Sequence, residues 1–156
     1  MSIDAQTLVQ RARDAGVMIA TAESCTGGMI SAAITDIPGS SRVFDRGFVT
    51  YSNGAKQAML SVQPATLEAH GAVSEAVAAE MAAGALARSD ADIAVAVTGI
   101  AGPGGSQHKP EGRVCFGLAR AGQAVRTETV EFGALGRERV RRATVDHALQ
   151  LLLSAV

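Results

Sequence analysis

The sequence predicts an α/β fold, a single three-layer α/β/α domain with a mixed, mostly parallel sheet. Three observations predict it. VMIATA (17–22) and ADIAVAVTG (91–99) are short apolar runs that read as buried strands, the second buried on both faces. Helical runs alternate with strands along the first half of the chain. RVCFGLAR and QAVRTETVEF then alternate in polarity around Ala121-Gly122, the signal of an antiparallel hairpin that makes the sheet mixed.

Residues 4–15 read as a helix, with Leu8, Ala12 and Ala15 on one face and Gly16 as its stop. GGMISAAITD reads as a helix that begins near Thr26, and IPGSS (37–41) as a turn. FDRGFVTYS (44–52) holds a strand whose largest members are Phe48 and Tyr51. NGAKQAML starts a helix after Asn53, and PATLEAH is a short helical piece from Pro64 that Gly71 ends. Ser74 is an N-cap for the Ala-rich helix EAVAAEMAAGALARS. GIAGPGGSQHKPEG (99–112) is a glycine-rich loop, and a long helix runs from about Arg137 to the end. There is no internal repeat and no linker, so 1–156 reads as one domain.

Composition narrows the function classes. The 156 residues suffice for a substantial core, and 47% are hydrophobic. Aromatics are only 3% and Trp is absent, which predicts a core of small aliphatics at close helix–sheet contacts. Fourteen basic and 15 acidic residues balance to −1, so neither nucleic acid nor a membrane surface is an expected partner. Cys25 and Cys115 are far apart and form no disulfide framework or zinc knuckle. No apolar run approaches the length of a membrane span, and the mixed-charge N-terminus is unlike a secretory signal. The cytoplasm is the expected compartment. The Ala-rich helix suits a dimer contact as readily as the core, and a homo-oligomer is expected.

The chemistry concentrates in TAESCTGGMISAAI (21–34), where Ser24, Cys25 and Thr26 precede two glycines at the mouth of a helix. A strand that turns into a helix presents free backbone N–H groups and a positive dipole end, suited to an anion or an oxyanion. Gly-Lys-Ser/Thr of a phosphate loop, G-x-G-x-x-G of a dinucleotide site and G-x-S-x-G of a nucleophile elbow are all missing there. A serine nucleophile needs a base. His70, His108 and His147 have no obvious carboxylate partner, which leaves a Ser-His-Asp triad unsupported. A desolvated lysine is the other option, and Lys56 directly follows the strand GFVTYSN, near the edge where parallel strands end. Cys25 is the rival nucleophile, because a helix N-terminus lowers a thiol pKa. The residues alone leave Ser24 and Cys25 both open.

TAESCTGG, GSSRVFDRGFVTYSNGAK, HGAVSEAVAAEMAAGAL, VTGIAGPGG and KPEGRV occur in this order. Together they resemble the CinA C-terminal domain family, which includes stand-alone nicotinamide-nucleotide amidases. The resemblance covers nearly the whole chain. It implies hydrolysis of the carboxamide of nicotinamide mononucleotide by a serine with a lysine base, in pyridine-nucleotide salvage, with no metal and no cofactor. Larger members carry a further pyrophosphatase domain for which this chain has no room. The matching motifs make Ser24 the nucleophile and Lys56 the base. Cys25, Thr26, Gly27 and Gly28 are the oxyanion and substrate-binding candidates, and Tyr51 is a candidate for the pyridinium ring or the reacting group, unless it packs in the core. Thr98, Gly99, Ile100, Ala101 and Gly102 are candidates for close approach of a nucleotide. Ser40 and Ser41, after Gly39, are phosphate candidates, as are Arg137, Arg141 and Arg142. GPGGSQHKPEG is one residue shorter than the family pattern, with Arg113 where a small or apolar residue is common. The alternative is a non-catalytic nucleotide-binding or regulatory module linked to competence and DNA damage.

Overall fold

The computed structural model describes residues 2–106 and 108–156; Met1 and Gln107, the latter inside the predicted glycine-rich loop, lie outside the described residues. The elements are α1 (Ile3–Ala15), β1 (Ile19–Glu23), α2 (Met29–Thr35), β2 (Phe44–Val49), α3 (Asn53–Leu60), α4 (Pro64–His70), α5 (Glu75–Ala87), β3 (Ile93–Gly99), β4 (Arg113–Arg120), β5 (Arg126–Glu131) and α6 (Arg137–Ala155). The strands form one sheet in the order β2-β1-β3-β4-β5. β1 pairs in parallel with β2 and β3, and β4 is antiparallel to both its neighbours. Four of the five strands therefore run the same way, as the sequence predicts.

Helices cover both faces, α1, α2 and α6 on one and α3, α4 and α5 on the other. Period-two alternation sorts the side chains by size. Ile19, Ile93, Val95, Val97 and Phe116 point toward α1, α2 and α6, where they meet Leu8, Ile30 and Leu149. Ala20, Ala22, Ala94, Ala96 and Ala119 point the other way, against Val77, Met81 and Ala82 of α5. The small side chains bring α5 close to the sheet. A Cβ on Gly117 of β4 would lie 2.4 Å from the Ala78 carbonyl oxygen.

Three local expectations need correction. Ala15 is exposed, and the inner face of α1 is Ala5, Leu8, Val9 and Ala12. β1 starts and ends later than 17–22 and includes Glu23, a buried charge that an apolar pattern does not reveal. α2 starts at Met29 rather than near Thr26, because Gly27 and Gly28 have φ of +56° and +107°, outside the helical region. The parallel strands β1, β2 and β3 end at one edge, and Ser24, Thr50 and Ile100 follow there. This is the edge where open α/β sheets collect their sites.

The close approach of α5 yields a stability prediction with an inverted sign. A glycine inside a helix is normally worse than alanine by about 1 kcal/mol. At Gly84, however, a Cβ would sit 2.0 Å from the Leu60 carbonyl oxygen of α3. Gly84→Ala is expected to destabilise the protein by about 1–3 kcal/mol in urea unfolding, through forced separation of α3 and α5.

Candidate active site

Glu23, the last residue of β1, organises the turn that carries Ser24. Its carboxylate is fully buried and accepts four hydrogen bonds: from Thr26 Oγ1 (2.6 Å), the Ile30 N–H (2.8 Å), the Ser31 N–H (3.0 Å) and Ser31 Oγ (2.8 Å). Its backbone carbonyl accepts from the Thr50 N–H at 2.9 Å. One residue thus ties β1 to α2 and to the segment after β2. Ser24 is held in turn by its own N–H, which donates to the Val97 carbonyl of β3 at 3.1 Å. A carboxylate that closes an apolar strand run is itself a sequence signal, since a buried charge requires partners.

Ser24 meets Lys56 across this edge. Lys56 Nζ lies 3.1 Å from Ser24 Oγ, 3.1 Å from the Thr50 carbonyl oxygen and 3.2 Å from the Tyr51 carbonyl oxygen. The lysine is 1% exposed although it is the fourth residue of α3. Ser52 caps that helix by accepting from the Ala55 N–H at 3.0 Å, and Lys56 and Leu60 form its buried face at i, i+4 spacing. Burial lowers the Lys56 pKa below the ordinary lysine value, and a charge on nearby Cys25 opposes this. The geometry matters for both protonation states. An ammonium has three hydrogens and finds three oxygens here. A neutral amine has two hydrogens for the two carbonyls, which can only accept, and its lone pair is then left for the Ser24 hydroxyl.

Cys25 is buried, and its thiol is pushed up to about 11, chiefly by desolvation and further by Glu23. Its own backbone N–H, Arg141 and Lys56 only partly oppose this. It is a protonated thiol at neutral pH, unlike the helix-terminus thiolate that the residues alone left open. The helix mouth also differs from expectation. Of the first N–H groups of the seven-residue α2, that of Met29 goes to the Thr26 carbonyl at 3.1 Å and those of Ile30 and Ser31 go to Glu23, while the Gly27 N–H goes to the Ser24 carbonyl at 3.0 Å. Thr26 is buried on Glu23, and neither it nor Gly27 or Gly28 lines the pocket. Among the described residues, the N–H groups of Cys25 and Thr26 have no carbonyl partner.

A pocket of about 180 Å³ opens over Ser24 and Lys56. Thr98, Gly99, Ile100 and Ala101, four of the candidates for approach of a nucleotide, line it together with Cys25 and Tyr51. Tyr51 is 59% exposed, so core packing is not its role. The loop donors are partly spent internally. The Thr98 hydroxyl donates to the Ala72 carbonyl (2.9 Å) and the Ile100 N–H to the Arg113 carbonyl (2.9 Å). Gly102 stands just outside, its carbonyl accepting from Arg137 Nη1 at 2.7 Å. Sequence reasoning missed Asn53, Ala72, Val73 and Ser106 on the wall. Ala72 and Val73 carry no chemical signal, because they arrive from the link between α4 and α5 by tertiary packing alone.

The phosphate candidates separate. Arg137, the first residue of α6, reaches the pocket rim, where Nη2 donates to the Tyr51 hydroxyl at 2.9 Å. Arg141 does not join it: its Nε and Nη2 donate to the Cys25 and Thr26 carbonyls (3.1 and 3.3 Å), bracing the turn from behind. Arg142 pairs with Glu138 in solvent. Ser40 and Ser41 precede β2 at the opposite edge of the sheet, a strand length of roughly 17 Å from the pocket, so within one chain they do not share it. None of His70, His108 and His147 lines the pocket. Larger grooves lie beside β4 and β5 (about 360 Å³) and between α2 and α6 (about 430 Å³), and neither is lined by Ser24 or Lys56. Among the described residues no three His, Cys, Asp or Glu side chains cluster as metal ligands, and no helix is long and apolar enough to cross a membrane.

Fold and site together define a class: a three-layer α/β/α domain with a buried serine–lysine pair where its parallel strands end. Residues 3–156 match the CinA C-terminal domain, and the chain belongs to that family. It is 52% identical over 139 residues to the nicotinamide-nucleotide amidohydrolase PncC of Escherichia coli strain K12, covering 88% of this chain and 83% of that protein. It is 58% identical over 124 residues to a CinA-like protein of Chlorobium phaeobacteroides, covering 78% of this chain but only 30% of that longer one. The crystal structure of a competence/damage-inducible protein from Agrobacterium tumefaciens superposes with a TM-score of 0.91 at 49% identity, covering 99% of this chain and 98% of that one.

Two measurements test the geometry. Glu23→Ala removes the acceptor of four donors, of which the Thr26 hydroxyl and the Ile30 N–H are fully buried, and is expected to cost about 3 kcal/mol or more in urea unfolding. For Lys56, burial depresses the folded-state pKa, so between the folded and unfolded values the unfolded chain binds more proton. The stability contribution of Lys56 therefore rises with pH through that window. The raised thiol of Cys25 acts oppositely above about pH 9, so the comparison must be with a variant that retains it. Lys56→Met minus wild type is expected to show its largest relative stabilisation at the acid end of that window, shrinking as the pH rises toward about 10. A difference that is flat with pH contradicts the depressed value.

Proposed function

We propose that this chain hydrolyses the carboxamide of nicotinamide mononucleotide, giving nicotinate mononucleotide and ammonia, with Ser24 as nucleophile and Lys56 as general base. The observation that carries the reading is the 3.1 Å contact between Ser24 Oγ and Lys56 Nζ, with two carbonyls taking the remaining amine hydrogens. Ser24 Oγ attacks the amide carbon as its proton passes to Lys56. The Lys56 ammonium then protonates the departing nitrogen, the C–N bond breaks, and ammonia leaves an ester on Ser24. Water then attacks the ester, giving a proton to the same amine, which returns it to Ser24 Oγ as the ester C–O bond breaks; the acid product loses its proton to solvent as the carboxylate. The N–H of Cys25, which lines the pocket and has no carbonyl partner among the described residues, is the candidate oxyanion donor.

The rest of the pocket supports an anionic nucleotide. Its basic lining groups are Lys56 at depth and Arg137 at the rim, with no carboxylate among the lining residues. Arg137 spends two N–H groups on Gly102 and Tyr51, leaving three for a phosphate. Tyr51, exposed at the mouth, has a free ring face for the pyridinium. We place the reaction in pyridine-nucleotide salvage in the cytoplasm, in a homo-oligomer. The test is ammonia release from nicotinamide mononucleotide. Ser24→Ala is expected to lose at least about a thousandfold in kcat/KM, and Cys25→Ala to retain far more activity than Ser24→Ala. Activity that survives in Ser24→Ala would reject the mechanism, and an inactive wild type would reject the substrate.

A further inference from the structure

Two connections run side by side next to the pocket: the loop 100–112 and the link 132–136 that leads into α6. Phe132 donates its N–H to the Gly112 carbonyl at 2.8 Å. A Cβ on Gly112, whose φ is +87°, would lie 2.0 Å from the Gly133 carbonyl oxygen. Glu111 sits at this junction and its carboxylate joins both connections. Oε1 accepts from the Gly104 N–H at 2.6 Å, and Oε2 accepts from the Gly136 N–H at 3.2 Å. Gly102 packs directly on the same carboxylate, where a Cβ would approach Glu111 atoms to 2.5–2.7 Å.

The next residue after Gly136 is Arg137, and its Nη1 returns to the Gly102 carbonyl at 2.7 Å. The contacts therefore close a ring: Glu111 holds Gly104 and Gly136, Gly136 carries Arg137, and Arg137 holds Gly102 against Glu111. The other end of the guanidinium is fixed by the Tyr51 hydroxyl at 2.9 Å. We propose that Glu111 is a positioning residue that holds the Arg137 guanidinium at the pocket mouth, and so sets affinity for the phosphate end of the ligand without touching it. The proposal rests on the nucleotide reading above.

The loop's other anchor does not do this. Lys109 donates to the His70 and Val73 carbonyls on the opposite wall, so it fixes the loop to the link between α4 and α5 and leaves Arg137 untouched. Glu111→Gln keeps the size of the side chain but has one acceptor oxygen where two N–H groups need one each. Its amide would face one of those N–H groups with a donor. The ring opens at one link, and Arg137 loses its fixed direction while the Ser24–Lys56 pair is untouched.

The experiment is calorimetric binding of two non-hydrolysable probes, nicotinate mononucleotide and nicotinate riboside, to the whole chain. Because both probes are on the product side, the result is readable even if ammonia release fails, so the two readings fail separately. Wild type is expected to bind the nucleotide more tightly than the riboside. Glu111→Gln is expected to weaken the nucleotide by roughly fivefold and leave the riboside unchanged. Arg137→Ala is expected to weaken the nucleotide at least as much, with Glu111→Gln adding less than twofold on top of it. Matching thermal unfolding curves for wild type and Glu111→Gln would exclude a folding defect. Equal weakening of both probes, no weakening of either, or a full fivefold effect on top of Arg137→Ala would each overturn the proposal.

Discussion

The buried carboxylate of Glu23 is the constraint on which the rest of the site depends. Four donors converge on it, and its own carbonyl holds the Thr50 N–H. Without that carboxylate, the first turn of α2 would end in unsatisfied donors inside the protein. With it, the chain can leave β1 through two left-handed glycines and still present Ser24 at a set place. The same residue locates the Thr50 carbonyl, one of the two oxygens that orient the Lys56 amine. A single satisfied charge thus couples strand, turn and base, and each hydrogen bond to it gains strength from its low-dielectric surroundings.

Lys56 represents the opposite choice. Burying an amine costs free energy in its charged form, and the protein offsets this only with three neutral oxygens and no carboxylate. A carboxylate partner would stabilise the ammonium and raise its pKa, which would spoil the amine as a base. The arrangement keeps the lysine satisfied in both protonation states while burial favours the neutral one. The alanine-lined face of the sheet matters here too, since α5 lies tightly on it and α3, which carries Lys56, packs on α5.

Much of the fold is legible in the sequence, because it is carried by local signals. The apolar run of β3, the Ser74 cap of α5 and the β4–β5 hairpin around Ala121-Gly122 all match their elements. Boundaries fail where a local rule meets a tertiary one. The apolar pattern ends at Ala22, so the strand is cut before Glu23, whose partners arrive from seven and eight residues further on. Within the site, the residues adjacent in sequence to a chemical motif are legible, and Ser24, Lys56 and the Thr98–Ala101 stretch do come together. The phosphate candidates are less so. Arg137 and Arg141 differ by one helical turn, and that turn decides whether the guanidinium faces the pocket mouth or the back of the Ser24 turn. Ser40 and Ser41 sit at the wrong end of a strand whose direction only the sheet reveals.

The central claim is that Lys56 is available as a neutral amine beside Ser24. The chain contains only two lysines, so selective isotope labelling of lysine gives two side-chain resonances that can be followed by NMR against pH. Lys56→Met assigns one of them by its loss. The account predicts that the assigned resonance titrates clearly below the ordinary lysine value of about 10.4, with the fold intact throughout. A Lys56 resonance that titrates at or above that value would contradict it, because the ammonium would then remain on Ser24 and no base would be present.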